Sequence, residues 1–324
     1  MRFKKKTLIS DYILEVVLVC LIITIASLTP GFFTKANLLN VFRNASLTGI
    51  IAFGMTITII AGQIDLSVGS SIALYCVITA KVTELLSTAG IMPPESGVIV
   101  GMGVMIVVSI LLGSFMALIH IRLKIPTFII SLAFLNISYG LAAILSRGFP
   151  MTVFPSWYNN IGAGRLWGIP IPAIILIIVF VIVFIMMKYM RIGREVYAVG
   201  GGEEAARLCG INISKVKIIC MIAPQLLAAV SSVLVSSQVM SASSQFGRGY
   251  EMTVVSAVII GGASLSGGTG KVWGTFLGVI FLGIISNGMT ILNINEFVQY
   301  VVRGALILIA VMANTIIVNK QRGA

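Results

Sequence analysis

Residues 57–80, ITIIAGQIDLSVGSSIALYCVITA, form an apolar run that stops at an acid and resumes within a few positions. Asp65 stands between Gly62 and Gly69, with Ser67 and Ser70 beside it. In water such a stretch would read as a turn between two short elements. The residues around it exclude water as the solvent. A carboxylate in a hydrocarbon setting has to be accounted for physically, and that account decides how the chain folds.

Composition sets the setting. Of 324 residues, 58% are hydrophobic and 10% charged, and mean hydropathy is +1.08. Soluble domains carry about 25% charged residues, so this chain matches a bilayer and not water. The net charge of +12 comes from short basic clusters between apolar runs. That is the pattern of topology-setting loops and not of a nucleic-acid face. Cys20, Cys76, Cys209 and Cys220 have no metal-ligand or redox spacing and read as small packing residues. The basic flank MRFKKK precedes an apolar run with no convincing cleavage site, which reads as a retained signal anchor.

A helix needs about 20 apolar residues to cross the hydrocarbon core. Ten candidate spans follow: 12–29, 45–62, 68–88, 97–119, 126–146, 170–189, 217–238, 252–266, 272–292 and 297–318. The fold class expected is an all-α integral membrane protein of about ten transmembrane helices. With the N-terminus inside, fifteen of the 22 Lys and Arg fall in inner loops. Lys35, Arg43, Lys81, Arg147, Arg165, Arg248 and Arg303 fall outside or at span ends. This bias places both termini in the cytoplasm. In the outer loop 146–169, Trp157, Tyr158 and Trp167 read as an interfacial belt.

The inner loop 190–217 contains RIGREVYAVGGGEEAARLCGINISKVK. EEAARL predicts a short helix, with Glu203 and Glu204 at its positive end and Gly210 in the left-handed position after its last turn. A connecting loop and a rigid contact for a partner both fit that pattern.

Residues 204–210, EAARLCG, match the E-A-A-x-x-x-G pattern of ABC importer permeases. GREVYAVGG with EEAARLCGI, GQIDLSVGS at 62–70 and AVIIGGASLSGGTGKVWGTFLG at 257–278 together resemble the ribose/simple-sugar branch of that family. The match runs through most of the chain in family order, and Gln63 departs mildly from the usual Gly or Glu. The resemblance implies a type II importer-like permease, one transmembrane domain over 1–324, in the bacterial cell membrane. It implies a second permease copy, a separate ABC ATP-binding subunit that holds ATP and magnesium, and an extracytoplasmic sugar-binding protein. Gly193, Arg194, Glu203, Glu204, Ala205, Ala206, Arg207 and Gly210 would then face the ATPase.

The chain shows no chemistry of its own. GGTGKVWG at 267–274 fails as a phosphate loop, because Leu265 stands at the first Gly position and Val272 at the Ser/Thr position. His120 is the one histidine, without the company that a metal site or a triad needs. No cofactor and no metal are expected on this chain.

Ionisable groups in a bilayer cost at least about 2.5–3.5 kcal/mol each. Glu15 reads as snorkelling and Lys81 as paired with Glu84. For Asp65 two readings stand. One is a cap on the span that begins near Val68, with Ser67 assisting. The other is a gate at a break formed by Gly62, Asp65, Ser67 and Gly69. Asn136, Tyr139, Gln225 and Asn287 are candidates for lining a sugar path or for holding helices together. An ion-gradient-driven sugar transporter is the rival function, and the acids available to it are few.

Overall fold

The computed structural model describes residues 13–29, 31–295, 297–302, 304–306, 308, 309 and 312. Arg2, Lys4, Lys5, Lys6, Arg303, Lys320 and Arg322 lie outside the described residues, and the expected span 297–318 is covered in part. The elements in chain order begin with α1 (Ile13–Leu28), α2 (Lys35–Ile60), α3 (Val68–Thr88), α4 (Pro94–Leu123) and α5 (Thr127–Leu145). A 3-10 turn (Ser156–Tyr158), α6 (Asn159–Ala163) and a two-residue hairpin of β1 (Arg165–Leu166) and β2 (Ile169–Pro170) build the outer loop. Then come α7 (Ile171–Tyr189), α8 (Arg191–Gly201), α9 (Glu203–Leu208), α10 (Ile213–Val239), α11 (Tyr250–Ile260) and α12 (Val272–Ile291).

Seven of these helices, α2, α3, α4, α5, α7, α10 and α12, are long and apolar enough to cross a membrane. Two apolar segments, Glu15–Ser27 and Tyr250–Ile260, are shorter. The structure agrees with an all-α multi-pass protein and adjusts its spans. The expected span 45–62 starts ten residues earlier, at Lys35, where Thr34 accepts from the Asn37 amide and caps α2. Lys35 and Arg43 therefore belong to that helix. The expected span 252–266 is only an 11-residue helix, α11, about 16 Å long against a core of about 30 Å. The run of apolar and small residues there continues as a glycine-rich turn.

Burial separates the centre of the molecule from its lipid face. The apolar windows of α2, α3 and α12 are 78%, 72% and 67% buried, whereas those of α4, α5 and α7 are below 30%. Exposed Leu, Ile and Val on α4, α5 and α7 are what a lipid solvent favours. Lys81 pairs with Glu84 at 2.6 Å on α3, and Glu15 accepts from Trp273 Nε1. Tyr158 departs from the belt reading: it is fully buried, with its hydroxyl 2.8 Å from Ser236 Oγ. Trp167 is 91% exposed.

Helix α2 seats against α10 at a built irregularity. Pro224 lies inside α10, so the Cys220 carbonyl, four residues earlier, loses its helical donor. Thr58 Oγ1 donates to that carbonyl at 2.7 Å. A methyl on Gly54 would lie 2.7 Å from Pro224 Cα, so the glycine permits the approach. Replacing Thr58 by Val removes the donor from a buried carbonyl and should cost about 1–3 kcal/mol. That loss is read as a lower thermal unfolding midpoint in detergent, with Thr58→Ser close to the parent. Equal midpoints for Val and Ser would contradict this account of the contact.

Candidate functional site: two helix breaks joined by an inner loop

The break between α2 and α3 answers the question that Asp65 poses. Gly62 takes φ 76, a conformation that favours glycine, and turns the chain back into the protein. The Ile64 amide donates to Thr127 Oγ1 at 3.1 Å. Asp65 and Ser67 are both fully buried. Asp65 Oδ1 accepts from the Ser67 amide at 2.9 Å and from Ser67 Oγ at 2.6 Å. Gln225 Nε2 donates to Asp65 Oδ2 at 2.7 Å and to Ser67 Oγ at 2.9 Å. Tyr75 Oη donates to Gln225 Oε1 at 2.6 Å. Each carboxylate oxygen therefore has donors, as a buried charge requires. Ser67 precedes α3 but makes no side-chain cap, because its hydroxyl is committed to Asp65. The carboxylate fixes the turn that leads into α3 and ties it to α10.

A second break joins α11 to α12, and the two breaks meet. The Gly268 amide donates to the Ile60 carbonyl at 2.8 Å, so a donor from the second break serves the last residue of α2. Gly200 of α8 lies over the same carbonyl: a methyl there would sit 1.7 Å from Ile60 O and 2.7 Å from the Gly268 amide nitrogen. Tyr197 Oη, also on α8, donates to the Gly270 carbonyl at 2.8 Å. The inner loop is thus in backbone contact with the ends of both interrupted pairs. The failed phosphate-loop stretch at 267–274 supplies this contact.

The inner loop is more ordered than its glycines suggest. Arg191–Gly201 is helical, with Gly193, Val196 and Val199 buried along one side. Gly200 and Gly201 therefore belong to α8. Helix α9 closes with two reversed bonds, Ile211 amide to Ala206 carbonyl and Gly210 amide to Arg207 carbonyl, with Gly210 at φ 77. Glu204, Ala205, Arg207 and Gly210 are exposed, and Ala206 is buried. Arg194 is exposed and donates to the Tyr189 carbonyl at 3.3 Å. Glu203 pairs with Lys217 of α10 at 2.6 Å, and Lys217 Nζ lies 3.1 Å from His120 Nε2. His120, at the end of α4, therefore helps to hold α9 in place.

Sequence reasoning gave no site role to Tyr197, Lys217 and Leu208, and read Gly200 only as part of the glycine-rich lead-in to α9. Leu208 is an apolar side chain left 90% exposed among the described residues, at the tip of α9. The signal for α8 was present as Ile192, Val196 and Val199 at helical spacing.

The four path candidates do not converge. Asn136 is exposed and donates to the Leu132 carbonyl of its own helix. Asn287 and Asn37 bond reciprocally at 2.9 and 3.0 Å between α12 and α2. Gln225 is enclosed with Asp65. Tyr139, on α5, is half-buried with the Arg248 guanidinium 5.5 Å from its ring centre. Among the described residues no three of His, Cys, Asp and Glu cluster as a metal site.

Interrupted apolar helices meeting at an ordered inner loop build a multi-pass helical membrane protein of the kind that forms transport paths. Comparison with known proteins agrees. Residues 37–311 match the family described as branched-chain amino acid transport system / permease component, and the chain belongs to that family. It is 34% identical over 310 residues to the ribose import permease protein RbsC of Haemophilus influenzae, covering 94% of this chain and 93% of that one. It is 36% identical over 302 residues to RbsC of Bacillus subtilis, covering 90% and 88%. It is 34% identical over 302 residues to the L-arabinose transport system permease protein AraH of Escherichia coli K12, covering 93% and 89%. No solved structure matches the chain. It is a multi-pass transport subunit of ABC type in the bacterial cell membrane.

Replacing Asp65 by Ala should leave Gln225 Nε2 and the Ser67 amide short of an acceptor and cost about 1–3 kcal/mol for each orphaned donor. Asp65→Asn keeps shape and one acceptor and should cost less. Unfolding in detergent orders the two, and an Ala variant as stable as Asn would contradict the network.

Proposed function

We propose that the chain is the membrane subunit of an ATP-driven importer of a monosaccharide, ribose or a related simple sugar, working with a second copy of itself. A separate ABC ATP-binding subunit holds ATP and magnesium and docks on α9. A sugar-binding protein delivers solute from outside. The observation that carries this reading is the seat of Gly200 on Ile60 and Gly268, because a displacement of α8 and α9 reaches both helix breaks without an intermediary. The similarity to ribose and arabinose permeases supports the substrate class.

In this mechanism the exposed face of α9, with Glu204, Ala205, Arg207, Leu208 and Gly210, meets the ATPase. Glu203, tied to Lys217, holds α9 on α10. Tyr197 and Gly200 carry the motion to the turns after Ile60 and before Val272. The Asp65–Gln225–Tyr75 network keeps the α2–α3 turn rigid, so the break moves as a piece. The residues supply positioning, and the energy comes from hydrolysis on the partner.

Two variants separate docking from transmission. Leu208→Asp places a charge in a desolvated contact and should cut copurification of the ATPase at least about tenfold. Gly200→Ala should leave the ATPase bound while sugar uptake in proteoliposomes falls about tenfold or more, since its methyl cannot fit against Ile60 O. Undiminished uptake by Gly200→Ala, with hydrolysis still coupled, would remove the basis of the reading.

A further inference from the structure

The segment between α10 and α11 enters the membrane interior. Ala242 pairs with Met151 of the outer loop through both of its backbone groups. Five residues later Gly247 lies against the first turn of α3, where a methyl on it would be 2.3 Å from the Gly69 carbonyl. That turn adjoins Asp65, which bonds Gln225, twelve residues into α10. Twelve residues correspond to about 18 Å of rise. Helix α11, preceded by Gly249 at φ 79, therefore starts at Tyr250 near the middle of the bilayer. Interrupted segments at this depth are held where backbone lines protein or a solute cavity.

Glu251 occupies the first turn of α11 and is 8% exposed. Among the described residues its Oε2 has no hydrogen-bond partner, and it rests where a Gly69 side chain would be, 2.1 Å from a methyl built there. The Tyr139 hydroxyl, from α5, is also buried without a hydrogen-bond partner among the described residues. Arg248 is exposed, stands against the Tyr139 ring, and shares with Glu251 the electrostatic surroundings of that phenol. The Glu251 carboxylate in the first turn of α11, the Arg248 guanidinium two residues before that helix and the Tyr139 phenol of α5 thus share one electrostatic neighbourhood, with the guanidinium against the ring.

We propose that Glu251, Tyr139 and Arg248 form a mid-membrane contact point for the hydroxyls of an uncharged polyol, a monosaccharide in transit. This inference rests on the sugar-import reading and adds the residues that sense the solute. A carboxylate oxygen accepts from a hydroxyl, the phenol donates or accepts, and the guanidinium donates to hydroxyl or ring oxygen. One negative and one positive group leave no net charge, which suits a neutral solute over an ion. A polar group that lacks a partner at this depth is costly, and solute hydroxyls supply the acceptor's donors. Gly69 makes room for the carboxylate, which gives the glycine of the opening motif a role at the solute face of α3 as well as at the break.

The test is uptake of D-ribose and 2-deoxy-D-ribose by the complete transporter, permease with its ATPase and binding protein, in proteoliposomes. Uptake is driven at concentrations that saturate the binding protein, so that selection at the permease is what is read. A site built to bond hydroxyls discriminates against an analogue that lacks one. Glu251→Gln should lower ribose uptake about tenfold and bring the ribose-to-deoxyribose ratio towards one, while the complex still assembles on size exclusion. Tyr139→Phe, a milder change at a half-buried site, should shift the same ratio about threefold and serves if the Glu251 variant does not assemble. An unchanged ratio in both variants overturns the proposal. So does loss of permease pairing with the ratio intact, which would assign Glu251 and Arg248 to a contact between copies. Failure of the parent complex to import either pentose would instead count against the sugar-import reading itself.

Discussion

The carbonyl of Ile60 is the point on which the architecture turns. It ends α2 inside the protein, where a helix terminus leaves acceptors that lipid cannot serve. The Gly268 amide supplies the donor at 2.8 Å, and Gly200 closes over the pair without a side chain. Two interrupted helix pairs and the inner loop thus share one small backbone cluster. Anything larger than hydrogen at Gly200 would separate them.

From that cluster the rest follows in two directions. Inward, α8 and α9 are held by Tyr197, by the Glu203–Lys217 pair and by His120 at the end of α4. Toward the bilayer centre, the Asp65 carboxylate draws Ser67, Gln225 and Tyr75 into one bonded set. The turn at Asp65 is therefore held by bonded polar groups, although the buried Gln63 beside it makes no side-chain hydrogen bond among the described residues. Pro224 and Thr58 repeat the principle within α10, where a lost backbone bond is replaced by a side-chain donor. Rigid pieces joined at a small contact are what a mechanical linkage between ATPase and path requires.

Much of the fold was legible because lipid as a solvent imposes simple rules. Apolar runs marked the long helices, and EEAARL followed by Gly210 marked α9 with its end. Asp65 between Gly62 and Gly69 marked a break. Helix α8 was obscured by the glycines at 193 and 200–202, although Val196 and Val199 carried its period. The eighth span, 252–266, already reads as short and glycine-rich, but its apolar composition hides the turn that ends α11 at Ile260. Pairings across the chain were out of reach by their nature. Gln225 reads equally as path or as glue until Asp65, 160 positions away, is placed beside it. The resemblance supplied the importer reading, which the residues alone left open beside an ion-driven transporter.

Transmission through the Ile60 cluster requires that α8, α9 and both helix breaks move as one body. Spin-label distances in the assembled transporter measure this directly, with labels at the exposed positions 208 and 266 for the body and at 208 and 144 for its motion against the periphery. Through the ATP cycle the 208–266 distance should stay constant while 208–144 changes by several ångströms. A 208–266 distance that changes while 208–144 stays fixed would contradict the claim, because the inner loop would then move without the breaks it touches.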